Sequence, residues 1–274
     1  MSQLPQSVDC ITKFVAYLSL QKFSYSTVAT YLSGLSFFLK TNSIPDFTDN
    51  FLVRKLLQGL KRDSGKEDAR LPITSKLLSK LVFKLSLVTY SEFEASMFKA
   101  AFTLAFFAFL RVGEFTSGTK HEGGHTLQLR DVSFGSVQGV SGMSIHLRSS
   151  KTDQFGKGTT IFLAQSLHSS AICPVLFLEN YLRHRPTSPG PLFIHFDGSP
   201  LTRFQFNKIL SKVIALTDHR LEGHVSSHSF RIGAATSAAM LGFSYDQIQE
   251  WGRWRSTCFR NYIRPPVGAL SNML

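Results

Sequence analysis

Apolar residues recur at helical spacing along most of this chain. Ile11, Val15 and Leu18 form one stripe, Val28, Leu32 and Leu35 a second, and Phe51, Leu56, Leu57 and Leu60 a third. Each stripe predicts a short helix with one face to bury, so the three together predict a small bundle. The charged stretch KRDSGKEDARLP, from Lys61 to Pro72, then interrupts the pattern with Gly and Pro and marks a boundary. Beyond it, an almost wholly apolar helix runs from about Met97 and ends in FLRVGEF. Met143, Ile145 and Leu147 alternate with polar residues, as do Ile161 and Leu163, and the polar, Gly-containing segment between them reads as a hairpin tip. Thr202 with Gln205 is a capping box opening a helix whose Phe206, Ile209, Leu210 and Val213 share a face. Gly242 ends the helix bearing Arg231, and Ser244 with Gln247 opens another. The expectation is a mainly α protein with a small antiparallel β-sheet between about Leu127 and Leu163, divided into residues 1–62, a linker 63–72, and residues 73–274.

Composition narrows the partner. Thirty Lys and Arg against 18 Asp and Glu leave a formal charge of +12 on 274 residues, the electrostatic footprint of a nucleic-acid binder. A hydrophobic content of 43% with 25 Phe excludes a disordered basic tail. Cys10, Cys173 and Cys258 are odd in number and far apart, which gives neither a disulfide framework nor a zinc ladder and fits a reducing compartment. His121 and His125 stand four apart in KHEGGH, but the two glycines argue against a helix that would align them on a metal. The apolar run from Met97 to Leu110 is too short for a membrane span and contains Lys99, so no membrane partner is expected.

The residues that carry chemistry lie apart in sequence. His228 and Arg231, one helical turn from each other, can converge on one anion. Tyr262 lies in RNYIR among Arg253, Arg255, Arg260 and Arg264, with no acid after Glu250, a setting that favours a phenolate near a phosphate. Arg111, ending a buried helix, needs an anionic partner, either Glu114 from the next turn or a substrate phosphate that fits its planar fork. Lys151 and Lys157 sit on the hairpin tip. Any one of these residues also has an ordinary structural role; the set in this order is what points to a phosphodiester.

Here the chain resembles the tyrosine recombinase/integrase family. LRVGE looks like the family's first-arginine box, SSKTDQFGKG its lysine-bearing hairpin, HSFR its His-x-x-Arg box, and GRW with NYIR its final box. The eight-residue step from Trp254 to Tyr262, one shorter than in the common phage and bacterial pattern, is similar to recombinases of eukaryotic DIRS-like and Crypton-like mobile elements. The resemblance implies a SAM-like helical core-binding domain followed by an α+β catalytic domain. It implies Tyr262 as nucleophile forming a 3′-phosphotyrosine, Arg111 and Arg231 as phosphate clamp, and Lys151 as proton donor to the leaving 5′-oxygen, with Lys157 as the fallback. His228 assists proton transfer or hydrogen-bonds the phosphate, Trp254 donates its indole N–H to phosphate, and Glu114 orients. No metal, ATP or other cofactor is required. Double-stranded DNA is the implied partner, with self-association from dimer to tetramer on DNA, and action is in the nucleus if the origin is eukaryotic and otherwise in the cytoplasm or nucleoid. Lys157, Arg253, Arg255, Lys22, Lys40, Arg54 and Lys55 are candidate DNA contacts.

Three rivals share parts of this pattern. A type IB topoisomerase uses similar Arg, Lys, His and Tyr chemistry, a domesticated descendant would bind DNA without recombining it, and the helices meeting at LGFS suit a helix-turn-helix regulator. A regulator has no need of Arg111, Lys151 and Tyr262 in this order. The separate helical N-terminal region and the pairing of HSFR with GRW favour recombination.

Overall fold

The computed structural model describes residues 7–63, 70–118, 126–148, 157–166, 172–217 and 223–264. The hairpin tip with Lys151, the His121/His125 pair, and most of the expected linker lie outside the described residues. The chain separates into two compact units, Met1–Ala69 and Arg70–Leu274.

The first unit holds three helices, α1 (Val8–Leu20), α2 (Tyr25–Thr41) and α3 (Phe51–Asp63). Ser7 and Ser24 cap the first two, each side-chain oxygen accepting from a backbone N–H of the opening turn. Ile11, Val15, Leu18, Val28, Leu32 and Val53 form the core, with Leu35, Leu57 and Leu60 packed against it. The face of α3 differs from the expected stripe. Val53, Leu57 and Leu60 fall on one side at i, i+4 and i+7, which turns Phe51 and Leu56 outward to 61% and 41% exposure. The connection into α3 is held by Asp46, whose carboxylate accepts from Ser36 Oγ at 2.6 Å, Thr48 Oγ1 at 2.7 Å and Thr48 N at 2.9 Å, with Lys40 Nζ at 3.2 Å. The Ser36 and Thr48 hydroxyls, more than the lysine, hold this carboxyl well below the usual carboxylate range.

The second unit is built around α5 (Glu92–Phe107), which buries Met97, Phe98, Phe102 and Leu104. The unit's other α-helices among the described residues are α4 (Ser75–Lys84), α6 (Val112–Phe115), α7 (Pro174–His184), α8 (Arg203–Ala215), α9 (His228–Met240) and α10 (Tyr245–Trp251). Phe102 meets Phe206 of α8 and Phe230 of α9 edge-on, both at 5.1 Å. The Thr202/Gln205 and Ser244/Gln247 capping boxes open α8 and α10 as the spacing predicts. Gly242 ends α9 at φ +82°, with its N–H on Ala239 O and the Phe243 N–H on Ala238 O, a Schellman turn.

Three antiparallel strands, β1 (Val132–Val137), β2 (Val140–Leu147) and β3 (Thr159–Ala164), form one sheet in the order β1-β2-β3. Met143 faces Leu163 and Ile145 faces Ile161 across β2 and β3, so the alternation read from sequence is the buried face. At the end of β2, Arg148 Nη2 lies 2.5 Å from the buried Asp131 Oδ1.

α9 is drawn into the core by an extended segment running along it. The Leu71 N–H donates to His224 O at 2.9 Å and the Ile73 N–H to Ser229 O at 3.0 Å. A Cβ at position 233 would stand 1.8 Å from the Ile73 carbonyl oxygen, so Gly233 permits this approach. Arg231, two residues from both Ser229 and Gly233, is only 1% exposed.

Replacing Asp46 with Asn is expected to destabilise the first unit by about 1–2 kcal/mol at neutral pH, the scale of hydrogen bonds to a charged group discounted for partial exposure. Because the folded-state pKa lies below the unfolded one, this stabilisation is complete above about pH 4 and is lost as pH falls further. Urea denaturation of wild type and variant checks it: the difference should be largest at neutral pH and narrow progressively below about pH 4.

Candidate active site

Four chain segments meet at the C-terminal end of α5. That helix closes with a Schellman turn, the Leu110 N–H on Ala105 O and the Phe109 N–H on Phe106 O. The residue in the left-handed position is Phe109, at φ +50°, where glycine is usual. α10 ends the same way, with Arg253 at φ +54°. Lys22 and Ser43 occupy such positions too, but both are exposed. Phe109 and Arg253 point inward, and a left-handed side chain costs about 1–2 kcal/mol.

What offsets that cost is visible in the contacts. The Phe109 ring lies edge-on to Trp254 at 6.0 Å. Its carbonyl oxygen accepts from Arg231 Nη1 and from Arg253 Nη2. Arg231 Nη2 donates to Gly252 O at 2.7 Å, and its guanidinium sits 4.5 Å from the Trp254 ring centre. Arg253 Nη1 donates to Ala108 O at 3.0 Å and its Nη2 to Glu114 Oε2 at 2.9 Å. Glu114, on α6, also accepts from Arg111 Nη1 at 2.9 Å and from the Arg111 N–H at 2.8 Å. The i, i+3 pairing of Arg111 with Glu114 was one of the two partners the sequence allowed.

Three guanidinium groups thus gather around one carboxylate among the described residues. Arg231 carries the strain of this arrangement. Burial, then Arg111 and Arg253, bring its pKa down to about 9, with Glu114 and Tyr262 opposing. The group stays charged at neutral pH, and among the described residues its Nε has no hydrogen-bond partner. Burial also lowers the pKa of Arg253, against the pull of Glu114. A corner with this surplus of buried positive charge is chemically suited to an anion.

On one side of the corner lie a base and a hydroxyl. His228, the first residue of α9, has Nε2 2.5 Å from Tyr262 Oη. Tyr262 ends a 3₁₀ turn, Thr257–Tyr262, anchored by Phe259 at 2% exposure. Its ring centre is 5.0 Å from that of Trp254, and Trp254 folds back over Gly252, where an added Cβ would fall 1.6 Å from the indole. Gly252 therefore lets Trp254 sit between Arg231 and Tyr262.

The structure brings Arg111, Glu114, His228, Arg231, Trp254 and Tyr262 together. Arg253, a candidate DNA contact by sequence, instead has a side chain only 8% exposed and turned onto Glu114 and the end of α5. A conformational preference, not a spacing, decides that, and no sequence pattern signals it. Lys151 lies outside the described residues, while Lys157 and Arg255 are exposed. In the first unit Lys22 is exposed in the turn after α1, Lys40 and Arg54 approach Asp46 and Asp49, and Lys55 lies over the Phe51 ring.

No protein-family model matches the chain, and no curated protein matches its sequence. Solved structures do. The XerH site-specific recombinase bound to palindromic difH substrate, in a post-cleavage complex, superposes with a TM-score of 0.61 at 18% identity, covering 92% of this chain and 68% of that one. A lambda integrase dimer bound to a COC′ core site gives 0.62 at 16% identity, covering 97% and 66%. The Tn1549 transposon integrase in complex with circular intermediate DNA gives 0.57 at 14% identity, covering 98% and 85%.

Replacing Glu114 with Gln removes the one carboxylate that bonds to this cluster among the described residues. Leaving buried guanidinium charge uncompensated should cost about 3–5 kcal/mol. Chemical denaturation would measure it, and the loss should exceed that of Asp131→Asn, whose partner Arg148 is half exposed and can rehydrate. This helical architecture with a small three-stranded antiparallel sheet is the fold of the tyrosine recombinases and integrases.

Proposed function

We propose that this chain is a tyrosine recombinase that cleaves and rejoins duplex DNA through a covalent 3′-phosphotyrosine, in the integration of a mobile element. The observation that carries the reading is the Tyr262 hydroxyl 2.5 Å from His228 Nε2, on the helix that also supplies the buried Arg231. A nucleophile, a proton acceptor and a phosphate clamp then share one small volume, which is what in-line attack on a diester needs.

In this mechanism the scissile phosphate enters between Arg111 and Arg231, whose guanidinium groups bind its non-bridging oxygens. His228 takes the phenolic proton as Tyr262 Oη attacks phosphorus. The bond to the 5′-oxygen breaks, and that oxygen leaves as a hydroxyl with a proton from Lys151. Trp254 packs on Arg231 and Tyr262 and offers its indole N–H to the phosphate. Glu114 holds Arg111 in place. Attack by another 5′-hydroxyl reverses the steps, frees Tyr262 and joins the new strand. No external energy source is consumed, since the phosphotyrosine conserves the bond.

The helical first unit serves as the DNA core-binding domain, with Lys22, Lys40, Arg54 and Lys55 among its phosphate contacts and Lys157 and Arg255 adding to those of the second. Copies of the chain assemble on DNA from dimer to tetramer. The short GRW-to-Tyr spacing supports an origin among DIRS-like or Crypton-like elements of eukaryotes and action in the nucleus.

Trapping on nicked suicide duplexes bearing candidate element ends tests this reading. Wild type should form an SDS-resistant adduct mapped to Tyr262 and a DNA 3′-phosphate, and Tyr262→Phe should bind the same DNA without forming it. Arg111→Lys and Arg231→Lys should slow adduct formation by on the order of 10²-fold, as for loss of one preorganised donor. Absence of an adduct on duplexes the protein demonstrably binds would reduce it to a DNA-binding protein, and resealing without strand exchange would make it a topoisomerase.

A further inference from the structure

One buried hydroxyl lies against the tyrosine turn and has no part in the chemistry above. Thr236, two helical turns beyond His228 on α9, is 3% exposed. Threonines within helices commonly return their hydroxyl to the carbonyl four residues back, as Thr103 does to Lys99 O at 2.8 Å. Thr236 Oγ1 instead donates to the carbonyl of Tyr262 at 3.2 Å and accepts from the Arg264 N–H at 3.0 Å. Its hydroxyl thus bridges the backbone immediately after the tyrosine, from the Tyr262 carbonyl to the Arg264 N–H, using donor and acceptor capacity together.

The location gives this bridge its significance. The 3₁₀ turn Thr257–Tyr262 stops at the tyrosine and Ile263 is extended. Hydrogen-bond geometry in a 3₁₀ turn is poorer than in an α-helix, and runs longer than about four residues are uncommon, so this six-residue turn gains from outside support. Tyr262 is consequently fixed at two ends by one helix, at its backbone by Thr236 and at its phenol by His228, about 12 Å apart along α9. Between those anchors the side chain has only two torsions. A shift of the backbone anchor passes directly to the phenolic oxygen.

We propose that Thr236 is a positioning residue for the nucleophile: its hydroxyl latches the backbone around Tyr262 and sets the line along which the phenolic oxygen meets the phosphate. This rests on the reading of Tyr262 as nucleophile. Thr236→Val keeps the side-chain shape and deletes the hydroxyl; Thr236→Ser keeps the hydroxyl and deletes the methyl. The pair therefore separates latching from packing.

The test is single-turnover adduct formation on the suicide duplex at saturating protein, with DNA affinity and melting midpoint measured for each variant. Thr236→Val should bind DNA within about twofold of wild type yet form adduct roughly 10- to 100-fold more slowly, the scale of a misplacement of up to about 1 Å. Thr236→Ser should recover to within about threefold of wild type, as a retained hydrogen bond implies. A wild-type rate in Thr236→Val, or a Thr236→Ser protein as slow as the valine variant, overturns the latch while leaving Tyr262 as nucleophile intact. If Thr236→Val melts below the assay temperature, Thr236→Ala against Thr236→Ser makes the same comparison. A wild-type protein that forms no adduct refutes the nucleophile reading, and the latch with it.

Discussion

The carbonyl oxygen of Phe109 accepts from both Arg231 and Arg253, and that shared acceptor organises the corner where α5, α6, α9 and the turn after α10 meet. A peptide carbonyl offers two lone pairs but only a partial negative charge, so it can orient two guanidinium groups without neutralising them. Glu114 supplies the formal charge to Arg111 and Arg253. Arg231 is left with carbonyls, the face of Trp254 and an Nε without a hydrogen bond among the described residues. Buried ion pairs seldom add much stability of their own, and a buried cation without a carboxylate adds less. This corner is built at some cost to the fold, and the proposed function supplies a reason: a substrate phosphate would complete it.

That constraint also explains local choices that look unfavourable in isolation. Helix ends favour glycine in the left-handed position, and Gly242 shows the ordinary solution at the end of α9. Phe109 and Arg253 depart from it because their side chains fill the corner, one against Trp254 and the other against Glu114. Backbone strain tends to persist where surrounding contacts over-determine it, and here those contacts are the ones that aim the guanidinium groups. Gly252 and Gly233 are the converse case, sites where any side chain would collide with Trp254 or with the Ile73 backbone and push α9 off its seat.

Much of this was legible in the sequence where one physical rule dominates. Alternation at Met143, Ile145 and Leu147 revealed β2 because one face is buried, and Thr202 with Gln205 revealed a helix start because the capping box is local. That Arg111, His228, Arg231, Trp254 and Tyr262 gather at one corner was legible by likeness and by the helical spacing of His228 and Arg231. β1 was harder to see, since Val132–Val137 is largely exposed and contains Gly135, so it lacks a core face to pattern. The outward turn of Phe51 and Leu56 was missed because three leucine-rich positions in α3 allow two overlapping stripes, and only packing against α1 and α2 selects the one through Val53. The contacts of Arg253 and Thr236 were invisible for a related reason. Their roles depend on which way a left-handed turn or a mid-helix hydroxyl points, and composition carries no trace of that.

The most direct test of this account is the response of folding stability to a bare phosphate ion. The melting midpoint of the full chain would be measured against increasing inorganic phosphate, with chloride at matched ionic strength as control, for wild type and for Arg111→Gln. The account predicts a saturable rise specific to phosphate in the wild type, of the form expected for a ligand that binds only the folded state, and a much smaller one in the variant. Equal effects of phosphate and chloride, or an undiminished response in Arg111→Gln, would contradict the claim that this buried cationic corner is completed by a phosphate.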